Sequence, residues 1–488
     1  MHGLGINKVP RSLGKLIHLR YLDFSFNPIR KLPDSITQLV NLYFLNLSNC
    51  GNLEELPEEI GKLVALSHLD LIGCDKLSHM PKGLQKLTCL ETLGYFVVGK
   101  PRTSVSLYGS KAKLACDLAD LGYLDNLKGK LTVVLVDRSK DIVSEANAAN
   151  LDRKVILEFT MEFKRSSIED EMVLENLKPG ANLEYLRIKN YGGKRLPSWM
   201  RIGIHCWLPN LVEVRIEECK ECINMCSFGR LPHLRNLVLR NLDKVEYIEN
   251  GSSSINNMVV VADEYPSTPL FPSLTDLTLK DIPGLKGWWS ITASAQDRGQ
   301  NQLLKLMPIC PKLRRVTMDM ELVISLAQVF LQGISSLQRL SVWGTTKVVA
   351  EQTCGTSNVL PKQRQPVILL KNYIPSLRIL TFNNIQMEHI PEEYQGMSSL
   401  TSLRIYTCEA LEAVPEWIDS LTSLESITIH ECPRLKSLPH EMSNLSNLKT
   451  LSLSKCSTEL AERCQSPLGK DWPKIQHIPN ITIQPANY

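Results

Sequence analysis

The sequence predicts an α/β solenoid, and three observations carry that reading. The stretch Met397–Cys456 reads as three lines, MSSLTSLRIYTCEALEAVPEWIDS, LTSLESITIHECPRLKSLPHEMSN and LSNLKTLSLSKC, stepping by 24 residues from Leu400 to Leu424 to Leu448. Apolar residues keep one phase, so that Leu400, Leu403, Ile405, Leu411 and Val414 match Leu424, Ile427, Ile429, Leu435 and Leu438. Cysteine follows the alternating stretch at Cys408, Cys432 and Cys456, and proline closes the apolar set at Pro415 and Pro439. This period and spacing mark a leucine-rich repeat horseshoe, with parallel β-strands on the concave face and irregular or short helical turns on the convex face.

The spacing has a physical cause. Leu403 and Ile405 alternate with outward residues, which places them on the inner face of a short strand. Leu400, Leu411 and Val414 enter from the other sides of the coil. No coil of this length buries its own core. Stacking coils about 4.8 Å apart pairs each strand with its neighbours as a parallel sheet and merges the apolar residues into one column. The Cys or Asn slot faces inward and meets loop backbone that would otherwise be unpaired. Proline in the return arm is expected to hold that arm extended.

A first regular block covers 1–98. Ile6, Val9, Pro10, Leu13 and Leu16 share the phase of Ile29, Leu32, Pro33, Ile36 and Leu39, so the chain starts halfway round a coil. Coils then step through Leu19, Leu42, Leu66 and Leu90. From Gly94 the apolar period lapses, and 99–117 reads as an irregular connector. An irregular repeat block covers 118–376, with a short convex helix expected over Asn147–Lys154. The frame returns at Leu183, Leu186 and Ile188, and further coils fall at Leu211, Leu234, Leu274, Leu313 and Leu337. Polar, turn-rich insertions near 249–272 and 345–375 read as loops beside the coils. A second regular block covers 377–456. The segment 457–488 reads as a C-terminal cap, its Trp472, Ile475, Ile478 and Ile481 lying over the last coil.

Composition narrows the function. The 55 basic and 51 acidic residues nearly balance, which gives no bulk attraction for nucleic acid or membrane. The longest apolar runs, such as Leu131–Val136, are far too short to span a bilayer, and no transmembrane segment is expected. The N-terminus lacks the apolar core of a signal peptide. Of 14 cysteines, Cys50, Cys74, Cys219, Cys408, Cys432 and Cys456 fill the inward slot and read as reduced core residues. That points to an intracellular protein, in the cytoplasm or alternatively the nucleus. No G-x-x-x-x-G-K-[ST] loop occurs, and Gly14-Lys15 and Gly61-Lys62 both precede leucine, so no nucleotide or other cofactor is expected. Cys219, Cys222 and Cys226, with His205, Cys206 and His233 nearby, have zinc-like spacing. Because Cys219 fills an inward slot, no metal site is assigned. No nucleophile elbow or catalytic signature is present, and an enzyme is not expected.

What remains is surface. The early coils turn Tyr21, Asp23, Phe44, Asn46, His68 and Asp70 outward. Central coils present Glu213, Asn236, Val238 and Thr278 among more strongly charged neighbours, and late coils present Ser402 and His430. The candidate protein-binding face consists of Tyr185, Arg187, Lys189, Arg215, Glu217, Arg240, Lys280, Arg404 and Tyr406, because Arg and Tyr dominate interface hot spots. The competing reading is a solvated sheet face whose alternating charges bridge strands.

Several longer stretches carry a family resemblance. They are VPRSLGKLIHLRYLDFSFNPIRKLPDSI, LTCLETLGYFVVGK, LDNLKGKLTVV followed by SEANAANLDRK, LENLKPGANLEYLRIKNYGGKRLPSWM, and DWPKIQHIPNITI. In that order they resemble the leucine-rich-repeat region of plant coiled-coil-type nucleotide-binding (NBS-LRR) disease resistance proteins. The resemblance implies a protein-binding recognition module of an intracellular plant immune receptor, acting in the defence response. It also implies a protein partner: a pathogen effector, a guarded host protein or an upstream nucleotide-binding domain. The chain departs from the family in having no P-loop, which leaves the signalling switch out of the sequence. Two alternatives stand beside it: a free-standing intracellular scaffold or adaptor, and the substrate-recognition part of a ubiquitin ligase. The latter needs an F-box or RING-like segment, and none is found.

Repeat physics also bears on the start of the chain. Ile6, Val9, Leu13 and Leu16 belong to a coil without a strand of its own, which leaves the strand around Leu22 and Phe24 as an open sheet edge. The expectation is that this chain is the C-terminal part of a longer architecture and that its first coil frays when expressed alone. Hydrogen exchange is predicted to be faster for amides from Ile6 to Phe24 than for those from Leu400 to Ile429. Equal protection in a monodisperse monomer would show a competent cap instead.

Overall fold

The computed structural model describes residues 1–100, 115–249, 271–289, 310–331, 334–344 and 369–485. Strands form wherever apolar and outward residues alternate, and they fall into two compact units. The first unit holds Met1–Leu234 and the segment from Asn241. In it, β1 (Tyr21–Asp23), β2 (Phe44–Asn46), β3 (His68–Asp70) and β4 (Thr92–Leu93) make one parallel sheet. A second parallel set runs β5 (Tyr95–Val98), β6 (Lys128–Leu135), β7 (Val155–Phe163), β8 (Tyr185–Lys189) and β9 (Glu213–Glu217). β10 (Asn236–Arg240) belongs to the second unit, while the short β11 (Tyr247–Glu249) lies in the first.

The second unit continues with β12 (Asp276–Lys280), the short β13 (Gly287–Trp289), β14 (Arg315–Asp319) and β15 (Arg339–Trp343). It ends with β16 (Ile379–Asn383), β17 (Ser402–Tyr406), β18 (Ser426–His430), β19 (Thr450–Cys456) and β20 (Asn480–Pro485). Apart from β13, these strands pair in parallel in chain order from β10 to β20. The register stacks like on like: Leu403 opposite Ile427 opposite Leu451, and Ile405 opposite Ile429 opposite Leu453. All six are buried, as are Leu411, Val414, Leu435 and Leu438 from the return arms. The apolar column is the core of each unit.

Two devices turn the chain out of the strands of the coils that carry a slot cysteine. The inward slot holds a buried cysteine that bonds to backbone: Cys50 Sγ donates to the Phe24 carbonyl at 3.2 Å and Cys74 Sγ to the Leu47 carbonyl at 3.1 Å. The residue just before the slot is left-handed. Asn49, Glu218, Thr407, Glu431 and Lys455 have φ of 57°, 60°, 52°, 56° and 52°, and Gly73 has φ of 78°. Asn and Gly adopt this conformation at little cost, whereas a β-branched residue is strained there.

Several expectations are corrected. Pro10, Pro33, Pro81, Pro415 and Pro439 are themselves extended, but each opens a five-residue 3-10 turn instead of an extended arm. A missing N–H costs nothing at the start of a helical turn, where the first donors lack partners anyway. The helix expected over Asn147–Lys154 runs instead over Ile142–Ala148, burying Ile142 and Ala146. Asn150, with φ of 49°, separates it from a 3-10 turn at Leu151–Arg153. The lapse of period at Gly94 is not an end of structure, because Tyr95–Val98 forms β5 with all four residues buried. A strand covered on both faces shows no alternation to read. Within the expected connector, residues 101–114 lie outside the described residues, as does most of each insertion near 249–272 and 345–375.

The ends differ from the regular coils. Val9 and Leu13 are buried and Ile6 half-buried, but Leu16 is 54% exposed where Leu39, Leu63 and Leu87 at the same phase are fully covered. At the other end β20 adds parallel to β19, with Ile475 and Ile478 buried and Trp472 and Ile481 half-buried. The fully buried Asp471 fastens this segment, accepting bonds from Arg463, Lys474 and the Leu438 amide. Burial alone would raise its carboxyl, but these donors together hold it below the usual carboxylate range.

The left-handed corner makes a stability prediction. Thr407→Asn should stabilise the chain by about 0.5–1 kcal/mol, because it relieves a β-branched residue at positive φ. The reverse change one coil earlier, Asn384→Thr, at φ of 51°, should destabilise by a similar amount. Denaturant unfolding of both variants checks the pair of signs.

Candidate protein-binding face

In the first unit, β8 and β9 set Tyr185 opposite Glu213, Arg187 opposite Arg215 and Lys189 opposite Glu217. Two arginines side by side repel, and each is answered by a glutamate. Arg187 reaches across to Glu217, with Nε at 2.6 Å from Oε2, and Arg215 folds onto Glu213 of its own strand. Lys189 lies 3.7 Å from Glu162 and 3.9 Å from Glu218. Tyr185 remains 38% exposed. Glu217 does not face solvent as the alternation suggested: it is 6% exposed, held beneath the Arg187 guanidinium. This stripe is largely self-neutralised. A charge reversal at Arg187 would leave Glu217 buried beside a second carboxylate, so it perturbs folding as well as any contact.

The second unit arranges its charges differently. Arg240 and Lys280 are opposite one another on β10 and β12. Lys280 extends its ammonium over the Trp343 ring, 4.0 Å from the centroid. On β14, between β12 and β15, lies Asp319, opposite Trp343 and 2% exposed. One of its oxygens accepts the Asp281 amide, and the other has no partner among the described residues. Burial pushes this carboxyl up to about 7, and the Asp281 amide and the Lys280 charge offset that only in part. Val238 and Ser402, read as outward from the pattern, are buried among neighbouring strands.

Further along, Arg404 is exposed on β17, and Tyr406 is half-buried beside it, edge-on to His430. Arg404 helps line an open depression of about 400 Å³ across β12 to β17, with Arg315, Arg339, Ser341 and Thr381. Arg315 is committed to Asp276 through two bonds. The candidate residues therefore do not form one site. Tyr185, Arg187, Lys189, Arg215 and Glu217 are one cluster, Arg240 and Lys280 sit on adjacent strands of the other unit, and Arg404 and Tyr406 lie near this depression. Arg339 and Arg315 were missed by the sequence reading. The frame of Leu337, Leu340 and Val342 already placed Arg339, Ser341 and Trp343 outward, so the signal was present.

Cys219 and Cys222 are deeply buried, and burial raises both thiols, Cys222 to about 12. Among the described residues no three His, Cys, Asp or Glu side chains are grouped to hold a metal ion. Nor is any described helix long and apolar enough to cross a membrane.

The family model described as "Leucine-rich repeat region" matches residues 7–359. The chain belongs to the leucine-rich repeat family. A second model, "R13L1/DRL21 LRRs", matches residues 370–456 of this leucine-rich repeat chain. Among curated relatives, disease resistance protein RGA2 of Solanum bulbocastanum is 38% identical over 288 residues, covering 58% of this chain and 27% of that protein. RGA1 of the same species is 35% identical over 286 residues, covering 58% and 26%. RGA4 is 35% identical over 203 residues, covering 41% and 18%. The matched stretches thus span about a quarter or less of these relatives' own length. The chain is a leucine-rich repeat region of the NBS-LRR resistance-protein kind. It is also similar to a solved leucine-rich repeat protein of Leptospira interrogans, at 17% identity and a TM-score of 0.40, covering 98% of this chain and 94% of that one. The ectodomain of the plant receptor kinase GASSHO1/SCHENGEN3 from Arabidopsis thaliana is similar at 15% identity and a TM-score of 0.39, covering 98% and 51%.

Asp319 gives the leucine-rich repeat core a pH dependence. Its folded pKa of about 7 lies above the ordinary carboxylate value of about 3.9 in an unfolded chain. Stability from this group is therefore full below about pH 4 and is lost as pH rises toward 7, by an amount on the order of a few kcal/mol. Asp319→Asn keeps an acceptor for the Asp281 amide and removes the titration. Thermal unfolding at about pH 4 and about pH 8, on either side of that window, should show a smaller pH difference in the variant.

Proposed function

We propose that this chain is the recognition module of an intracellular plant immune receptor and works by binding protein, without catalysis of its own. The observation that carries the reading is the match over 58% of the chain to disease resistance protein RGA2. The outward strand positions supply what such a role needs: tyrosines at Tyr185 and Tyr406 and arginines on strands of both units. The partner is a pathogen effector, a guarded host protein or a nucleotide-binding domain in the same receptor, and the compartment is the cytoplasm. A scaffold or ubiquitin-ligase role has no comparable support.

A domain exchange tests the proposal. Replacing the matching repeats of RGA2 with this chain should change which elicitor triggers the defence response while the resting receptor stays quiet. A chimera that keeps the recognition spectrum of RGA2 would count against a recognition role. For a partner found in this way, Tyr185→Ala or Tyr406→Ala should weaken binding about tenfold or more, by analogy with aromatic hot spots. Titration calorimetry reads the change.

A further inference from the structure

We infer that the depression across β12 to β17, whose one lining carboxylate, Asp276, is held by Arg315, is a docking groove for an extended, acidic segment of a protein partner, whose carboxylates are taken by Arg339 and Arg404. This rests on the protein-binding reading above and gives it a place and a chemistry.

The charge pattern is the main ground. From β15 through β20 the outward strand positions carry hydroxyl, amide, apolar and ring side chains, with Arg339 and Arg404 as the only guanidinium groups and no carboxylate at all. Three other strand-face arginines come with their own glutamate or aspartate: Arg187 with Glu217, Arg215 with Glu213, Arg315 with Asp276. Arg339 and Arg404 differ from these three. Both are exposed, and among the described residues neither has a carboxylate partner. Arg404 makes one long bond, from Nε to Ser402 Oγ at 3.4 Å. Arg339 makes none.

Geometry adds the shape of the ligand. The register runs Arg339–Ile379–Ser402 and Ser341–Thr381–Arg404, so the two arginines sit two strands apart and two residues out of step. With strands about 4.8 Å apart and about 3.3 Å per residue, their Cα atoms are separated by roughly 12 Å. That is the reach of three or four residues of extended chain. Ser341 and Thr381 lie between them in the groove floor and offer hydroxyls to a peptide backbone. Forked guanidinium groups suit carboxylates, and the low burial of both arginines keeps them available to a partner.

The test uses the full chain and a labelled peptide alternating Asp or Glu with Gly, beside its Asn/Gln counterpart. Fluorescence anisotropy should show the acidic peptide binding at least about tenfold more tightly, and losing affinity as salt rises from about 0.05 M to about 0.5 M. The double variant Arg339→Glu/Arg404→Glu should lose about tenfold or more in affinity at unchanged circular dichroism. Arg339→Lys/Arg404→Lys should retain charge but lose the forked contact, giving an intermediate value. Equal binding of the two peptides, or full binding by the double reversal variant, would overturn the groove. So would displacement of the peptide by inorganic phosphate at equal concentration, which would mark a simple anion site. An elicitor that acts through the RGA2 chimera and binds the double reversal variant normally would refute the groove and leave recognition standing. Acidic-peptide binding lost on reversal, in a chain whose chimera recognises nothing new, would support the groove and refute the immune role.

Discussion

Everything in this structure depends on the fact that one coil of about 24 residues cannot enclose its own apolar side chains. Leu403 and Ile405 are dry only because Leu380 and Phe382 lie on one side of them and Ile427 and Ile429 on the other. The same dependence governs the backbone. The carbonyls of Phe24 and Leu47 are met by the thiols of Cys50 and Cys74, each from a following coil. Coverage differs between coils: Leu16 stands exposed at a phase that is fully buried at Leu39, Leu63 and Leu87. The far end is closed by a different device, a last strand held down by the buried Asp471 and its two cations.

With the inner positions committed to packing, function is confined to the residues between them. Those residues solve an electrostatic problem of their own, because parallel strands place like positions side by side. Arg187 meets Arg215, and the strands answer with Glu217 and Glu213. Charges neutralised in this way hold strands together weakly and have little left for a partner. The exceptions are therefore informative. Asp319 is buried with one amide donating to it, near a lysine that stacks on Trp343, while Arg339 and Arg404 face solvent with no carboxylate partner among the described residues.

The corner residues show how tightly local conformation is tied to the repeat. A left-handed residue before the inward slot recurs from Phe26 to Lys455, occupied by Asn, Asp or Gly in some coils and by Thr, Glu or Lys in others. The conformation is imposed by the need to turn off the strand. Tertiary packing holds it even where the side chain disfavours it.

The sequence by itself determined the repeat, its phase and the inside of the coils, because a fixed period of leucines leaves only one way to bury them. It also determined most of the residues that point outward in regular coils, since alternation along a strand is a local property, although Ser402 is covered by its neighbours. It did not reveal β5, where burial on both faces erases alternation, nor the 3-10 turns after the prolines, whose fixed φ is shared by extended and turning chain. Only the tertiary structure decided the state of each outward charge. Arg187 and Arg339 look alike in sequence, each at an outward strand position. One is spent on a glutamate 30 residues away and the other is not, and that difference depends on which coil stacks beside which.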